Sequence, residues 1–155
     1  MSTRARVIGV AIAACGVLVA VLPALPWYAA TLPTGTASLS GYGAGGASWI
    51  LPVIGAAMAI TGVLAALWQP LPGTRTGRVL GGVTVLWAAL GVAWSALVAL
   101  TPRVDVVAVR AGFPDAPLAG DWVVTVLPPA WACLAAAALA GMAGILLVTP
   151  ARSSD

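Results

Sequence analysis

Apolar residues fall in four long blocks along the chain, at about 7–26, 49–68, 79–100 and 128–148, separated by stretches rich in Gly, Pro, Ser and Thr. Each block has roughly the 20 residues that cross a ~30 Å hydrocarbon core at about 1.5 Å per residue. No Asp, Glu, Lys or Arg interrupts any of them. A helix bonds its own backbone groups, whereas an open sheet would leave its edges unbonded in lipid. The pattern therefore predicts an all-α membrane fold: one four-transmembrane-helix bundle spanning 1–155, with two long outer loops at about 27–48 and 101–127.

Composition strengthens that reading. Of the 155 residues, 61% are hydrophobic and 7% charged, against roughly 45–50% and about 25% in ordinary soluble domains. The length leaves room for one small bundle and none for a separate catalytic domain. The net charge of +3 comes from seven arginines, with no lysine or histidine. Such a sparse, scattered set does not form a nucleic-acid surface. Arginine in place of every lysine, with abundant Ala, Gly and Val, is similar to the usage of high-GC bacteria such as actinomycetes.

The arginines are not evenly placed. Arg4 and Arg6 precede the first block, Arg75 and Arg78 lie between the second and third, and Arg152 follows the fourth. Only Arg103 and Arg110 belong to the opposite side, where they are joined by Asp105, Asp115 and Asp121. The positive-inside bias then puts both termini in the cytoplasm of a bacterial plasma membrane. Trp27, Tyr28, Trp49 and Trp122 fall at the outer boundary and Trp68 at the inner one, the positions of interfacial anchors. The segment Ile12-Ala13-Ala14-Cys15 has the form of a lipobox. The apolar run continues beyond it without a polar tether, so Cys15 reads as an ordinary intramembrane cysteine.

Three landmarks recur at nearly one offset. Arg6-Val7-Ile8-Gly9 returns 72 residues on as Arg78-Val79-Leu80-Gly81, Gly41-Tyr42 returns 71 on as Gly112-Phe113, and Trp49 returns 73 on as Trp122. They predict a 2+2 internal repeat whose halves share one orientation, related by an axis along the membrane normal. Residues 36–40 (TASLS) and 104–110 (VDVVAVR) are the strand candidates, and their equivalent places predict a small hairpin-like pairing of the two outer loops.

Candidate chemistry is sparse. Without histidine, and with Cys15 and Cys133 far apart, the chain has no ligand set for zinc, iron–sulfur or histidine-ligated haem, so neither metal nor cofactor is expected. Spans without ionisable residues argue against ion-coupled transport. The three loop aspartates read as a solvated surface rather than an acid–base pair. On the third helix Thr84, Trp87, Gly91, Trp94, Ser95 and Val98 recur at three- and four-residue steps and share a face. Two readings stay open: a helix contact in which Gly91 and Ser95 admit a neighbour, or an aromatic lining for a lipid or quinone tail. Small-residue steps at Gly62/Ala66, Ala137/Gly141 and Ala140/Gly144 point to tight packing of the bundle.

Leu25-Pro26-Trp27, Leu39-Ser40-Gly41 and Ser48-Trp49, followed by a short Arg-bearing link, make residues 1–100 resemble the tryptophan-operon-associated transmembrane proteins of actinobacteria. Tyr28-Ala29-Ala30 and the second outer loop depart from that pattern. The resemblance implies a four-helix inner-membrane architecture and no catalytic residues. Two functional classes follow: a non-enzymatic scaffold or accessory subunit, its partners the bilayer and other membrane proteins, or a carrier or sensor of a lipophilic molecule using Trp87 and Trp94.

Overall fold

The computed structural model describes residues 3–32, 35–42, 49–101 and 123–149. Its four long helices are α1 (Thr3–Val21), α2 (Ile50–Trp68), α3 (Arg75–Leu100) and α4 (Pro128–Val148). Each is long and apolar enough to cross a membrane. Five of the eight helix boundaries match the expected blocks to within one residue, but α1 ends at Val21 rather than Pro26. Pro23 lacks an amide hydrogen, so the chain tightens into one 3-10 turn at Leu22–Ala24 and leaves the helix in extended geometry at Leu25. At the other end α1 and α3 begin four residues earlier than expected, at Thr3 and Arg75, because arginine is a good helix former. Thr74 caps α3, its Oγ1 accepting from Gly77 N at 3.3 Å. With 26 residues, α3 is about 39 Å long, more than a ~30 Å core needs.

The helices alternate in direction. Gly9 faces Gly62 and Gly16 faces Gly55, so α1 and α2 are antiparallel; Gly81 faces Gly144 and Gly91 faces Ala137, so α3 and α4 are too. Contacts of α4 with α1 and of α3 with α2 close the ring, the latter being the looser seam. Arg4, Arg6, Arg75 and Arg78 therefore share one end of the bundle, all of them exposed.

The opposite end carries a three-stranded antiparallel sheet of order β2-β1-β3, built from β1 (Pro26–Leu32), β2 (Gly35–Ser40) and β3 (Val123–Val126). β2 is the expected 36–40 strand. Its partner is β1, with Ala30 opposite Ala37. The two loops do pair, but through Tyr28↔Val126 to Thr31↔Val123. The expected 104–110 strand lies outside the described residues, and the strand at 26–32 replaces an expected helix end and loop.

Helix faces that point away from the bundle are apolar: Val7, Ile60, Leu86 and Leu139 are all more than half exposed. Among the described residues the buried polar side chains are Thr61, Thr84 and Ser95. The two threonines donate to the carbonyls four residues back, Ala57 and Leu80, at 2.7 and 2.9 Å. Among the described residues no buried side-chain nitrogen or oxygen is left without a hydrogen-bond partner.

Candidate functional site

One turn of helix is 3.6 residues, so the expected α3 face divides into two neighbouring stripes about 100° apart. Thr84, Ala88, Gly91 and Ser95 form the inner one, and all are buried. Ser95 Oγ donates to Cys133 Sγ of α4 at 3.6 Å, and Cys133 Sγ in turn donates to Val19 O of α1 at 3.9 Å. A Cβ at Gly91 would stand 3.2 Å from Ala137 Cβ and 3.4 Å from Ile54 Cγ2, so that glycine lies where α4 and α2 both press on α3. Helix contact accounts for Gly91, Ser95 and Thr84. The indoles do something else.

Trp87, Leu90 and Trp94 form the second stripe, turned toward the loose seam with α2. Opposite them stand Trp49, Ile50, Val53 and Ile54. Between the two sets is a laterally open groove of about 340 Å³, within the size range of small-molecule sites. Trp87 and Trp94 are half-buried, while Trp49 is 64% exposed and forms the outer lip. Trp49 lies 38 residues before Trp87, so nothing in the local sequence pattern signals that the two meet.

The expected anchors separate in the same way. Trp49 and Trp68 are exposed at opposite ends of α2, and Trp131, which the pattern did not single out, is 47% exposed at the start of α4. Trp122 lies outside the described residues, as do Asp105, Asp115 and Asp121. Trp27 and Tyr28 do not face outward: both are buried inside the protein, at 0% and 1% exposure. A bulge in β1 between Pro26 and Tyr28 lets consecutive residues enter the sheet-bearing end of the bundle. There they meet backbone carbonyls at helix C-terminal ends, where intrahelical donors run out. Trp27 Nε1 donates to Leu22 O at 3.0 Å, the Tyr28 hydroxyl donates to Val98 O, and the Tyr42 hydroxyl donates to Ala20 O at 2.7 Å. Burial pushes the Tyr28 phenol up to about 12.

The tightest contact in the bundle contains one of the expected small-residue steps, Gly62/Ala66, and extends well beyond it. Gly9, Ala13, Gly16 and Ala20 of α1 mesh with Gly55, Ala59, Gly62 and Ala66 of α2. The signal was a mirrored 4-3-4 spacing of Gly and Ala in two helices, legible only when both are read together. Cys15 and Cys133 are free thiols, and the described residues hold no group of three or more His, Cys, Asp or Glu side chains. Comparison with protein-family models, curated proteins and solved structures gives no match, so the site rests on its own geometry.

Proposed function

We propose that this chain is a non-enzymatic, multi-pass plasma-membrane protein that acts as a scaffold or accessory subunit, holding its three-stranded sheet rigidly on the outer face. The observation that carries this reading is the keying of the sheet into the bundle. Trp27 and Tyr28 leave β1 inward, are fully buried, and bond to carbonyls at the ends of α1 and α3. An aromatic side chain buries about 150–250 Å², so two of them fix the sheet far more firmly than a tethered loop would be fixed. A platform of this kind suits docking rather than turnover.

Orientation follows from charge. Arg4, Arg6, Arg75 and Arg78 occupy the end opposite the sheet, Arg152 belongs with them in chain order, and Arg103 and Arg110 fall in the second outer loop. The five-to-two split supports cytoplasmic termini. A 2+2 repeat is supported by the environments of its first landmark: Gly9 and Gly81 are both points of closest approach, 2.8 Å from Gly62 O and 2.5 Å from Gly144 O when a Cβ is added. The resemblance to the tryptophan-operon-associated proteins adds architecture alone.

A photo-crosslinking residue placed at exposed Ser38 of β2 tests the scaffold reading in native membranes. A discrete protein adduct from Ser38, absent from the lipid-facing position Ile60, is expected. Adducts from neither position, with the chain purifying alone in mild detergent, would refute it. The groove beside Trp87 and Trp94 favours a second reading, a carrier or sensor of a lipophilic molecule.

A further inference from the structure

We infer that the groove between α2 and α3 holds one aliphatic chain of an outer-leaflet lipid, inserted from the side. This inference rests on the membrane-spanning reading above. Depth supports the choice of leaflet. Trp94 and Trp87 lie about 9 and 20 Å from the outer end of α3, at 1.5 Å per residue. Trp49 marks the outer end of α2. The groove therefore runs from the outer boundary to about the middle of a ~30 Å core, which is the reach of a single leaflet.

Chemistry selects the tail rather than a headgroup. The walls are four aliphatic side chains and three indoles. The ring N–H groups are the only donors these walls offer, with no acceptor and no charged side chain, so the lining suits hydrocarbon far better than a charged headgroup. Continuity selects lipid rather than protein: Val53 and Leu90, which line the groove, are 49% and 46% exposed and merge with the apolar outer surface of the bundle. The sharp features are the three flat rings, which make a rigid slot that a flexible hydrocarbon fills at low cost.

The test uses the purified full-length chain in detergent, titrated with cis-parinaric acid, a fluorescent fatty acid whose conjugated chain accepts energy from nearby indoles. Saturable binding near one probe per chain is expected. Leu90→Trp, which fills the groove, should weaken it at least tenfold without lowering the melting temperature; Val53→Phe serves as a second filling variant. Val63→Trp, on an exposed face outside the groove, should bind as the wild type does. Unsaturable uptake identical in all four proteins would overturn the inference. So would a photo-crosslinker at position 90 that yields a protein adduct or a dimer in native membranes instead of a lipid adduct. Release of the chain from membranes by alkaline carbonate would sink the membrane-spanning reading as well, whereas a carbonate-resistant chain that fails to bind the probe sinks the groove assignment alone.

Discussion

Adding one methyl group at Gly62 should unfasten the α1–α2 hairpin. A Cβ there would lie 2.4 Å from Ala13 N, 2.7 Å from Gly9 O and 2.8 Å from Ala13 Cα. All three atoms are backbone, so no side chain can swing away. Restoring ordinary contact near 3.4 Å requires the two helices to part by about 1 Å, and a gap of 0.5–1 Å already forfeits roughly a quarter to a half of each dispersion contact it opens. Overpacking costs about 1–3 kcal/mol, while alanine gains up to ~1 kcal/mol over glycine in helix propensity. The expected net effect of Gly62→Ala is destabilisation by up to about 2 kcal/mol. Gly82 supplies the matched control, because a Cβ there meets nothing within 4 Å. Gly82→Ala should be neutral or slightly stabilising. Reversible unfolding in mixed micelles, read by helical circular dichroism, compares the two. Equal stabilities of Gly62→Ala and Gly82→Ala would refute the packing argument. A further check is non-additivity: Gly9→Ala and Gly62→Ala act at one contact, so the double variant should lose less than the sum of the single losses.

Gly91→Ala should be tolerated within about 1 kcal/mol, its neighbours at 3.2 and 3.4 Å being side-chain atoms that can yield, whereas Gly91→Leu should cost about 1–3 kcal/mol; an unchanged melting temperature for Gly91→Leu would contradict the close meeting of α2, α3 and α4. Tyr28→Phe removes the donor to Val98 O and should cost about 0.5–1.5 kcal/mol at neutral pH. The phenol is raised from 10.0 to about 12 in the folded chain, so its contribution is complete below pH 10 and lost as pH climbs through 12. Wild-type stability should therefore fall over that window more steeply than that of Tyr28→Phe, and parallel pH profiles would count against burial of the ring.

The spans were legible because bilayer thickness imposes a length and a composition that survive any detail of packing. β2 was legible as well, since alternation within 36–40 is local information. The end of α1 was misjudged for the opposite reason: apolar residues continue through Leu25, and only the geometry imposed by Pro23 and Pro26 ends the helix before they do. Trp27 and Tyr28 looked like boundary aromatics because hydropathy reports depth along the normal and not whether a ring points into lipid or into protein. On α3 the three- and four-residue steps grouped Gly91 with Trp87 and Trp94 correctly to within a quarter-turn, yet that quarter-turn separates a helix contact from a groove wall. The other wall comes from α2, through a pairing of helices that no periodicity within one helix encodes.

The central claim, a four-span bundle with its sheet outside and its arginine-rich end in the cytoplasm, is tested most directly by single-cysteine labelling. In a background lacking Cys15 and Cys133, Ser38→Cys in β2 and Thr76→Cys in the first turn of α3 place thiols at exposed positions on opposite ends of the bundle. In intact cells a membrane-impermeant maleimide should label position 38 and reach position 76 only after permeabilisation. Labelling of position 76 but not 38 would invert the topology, and labelling of both in intact cells would contradict the four-span arrangement itself.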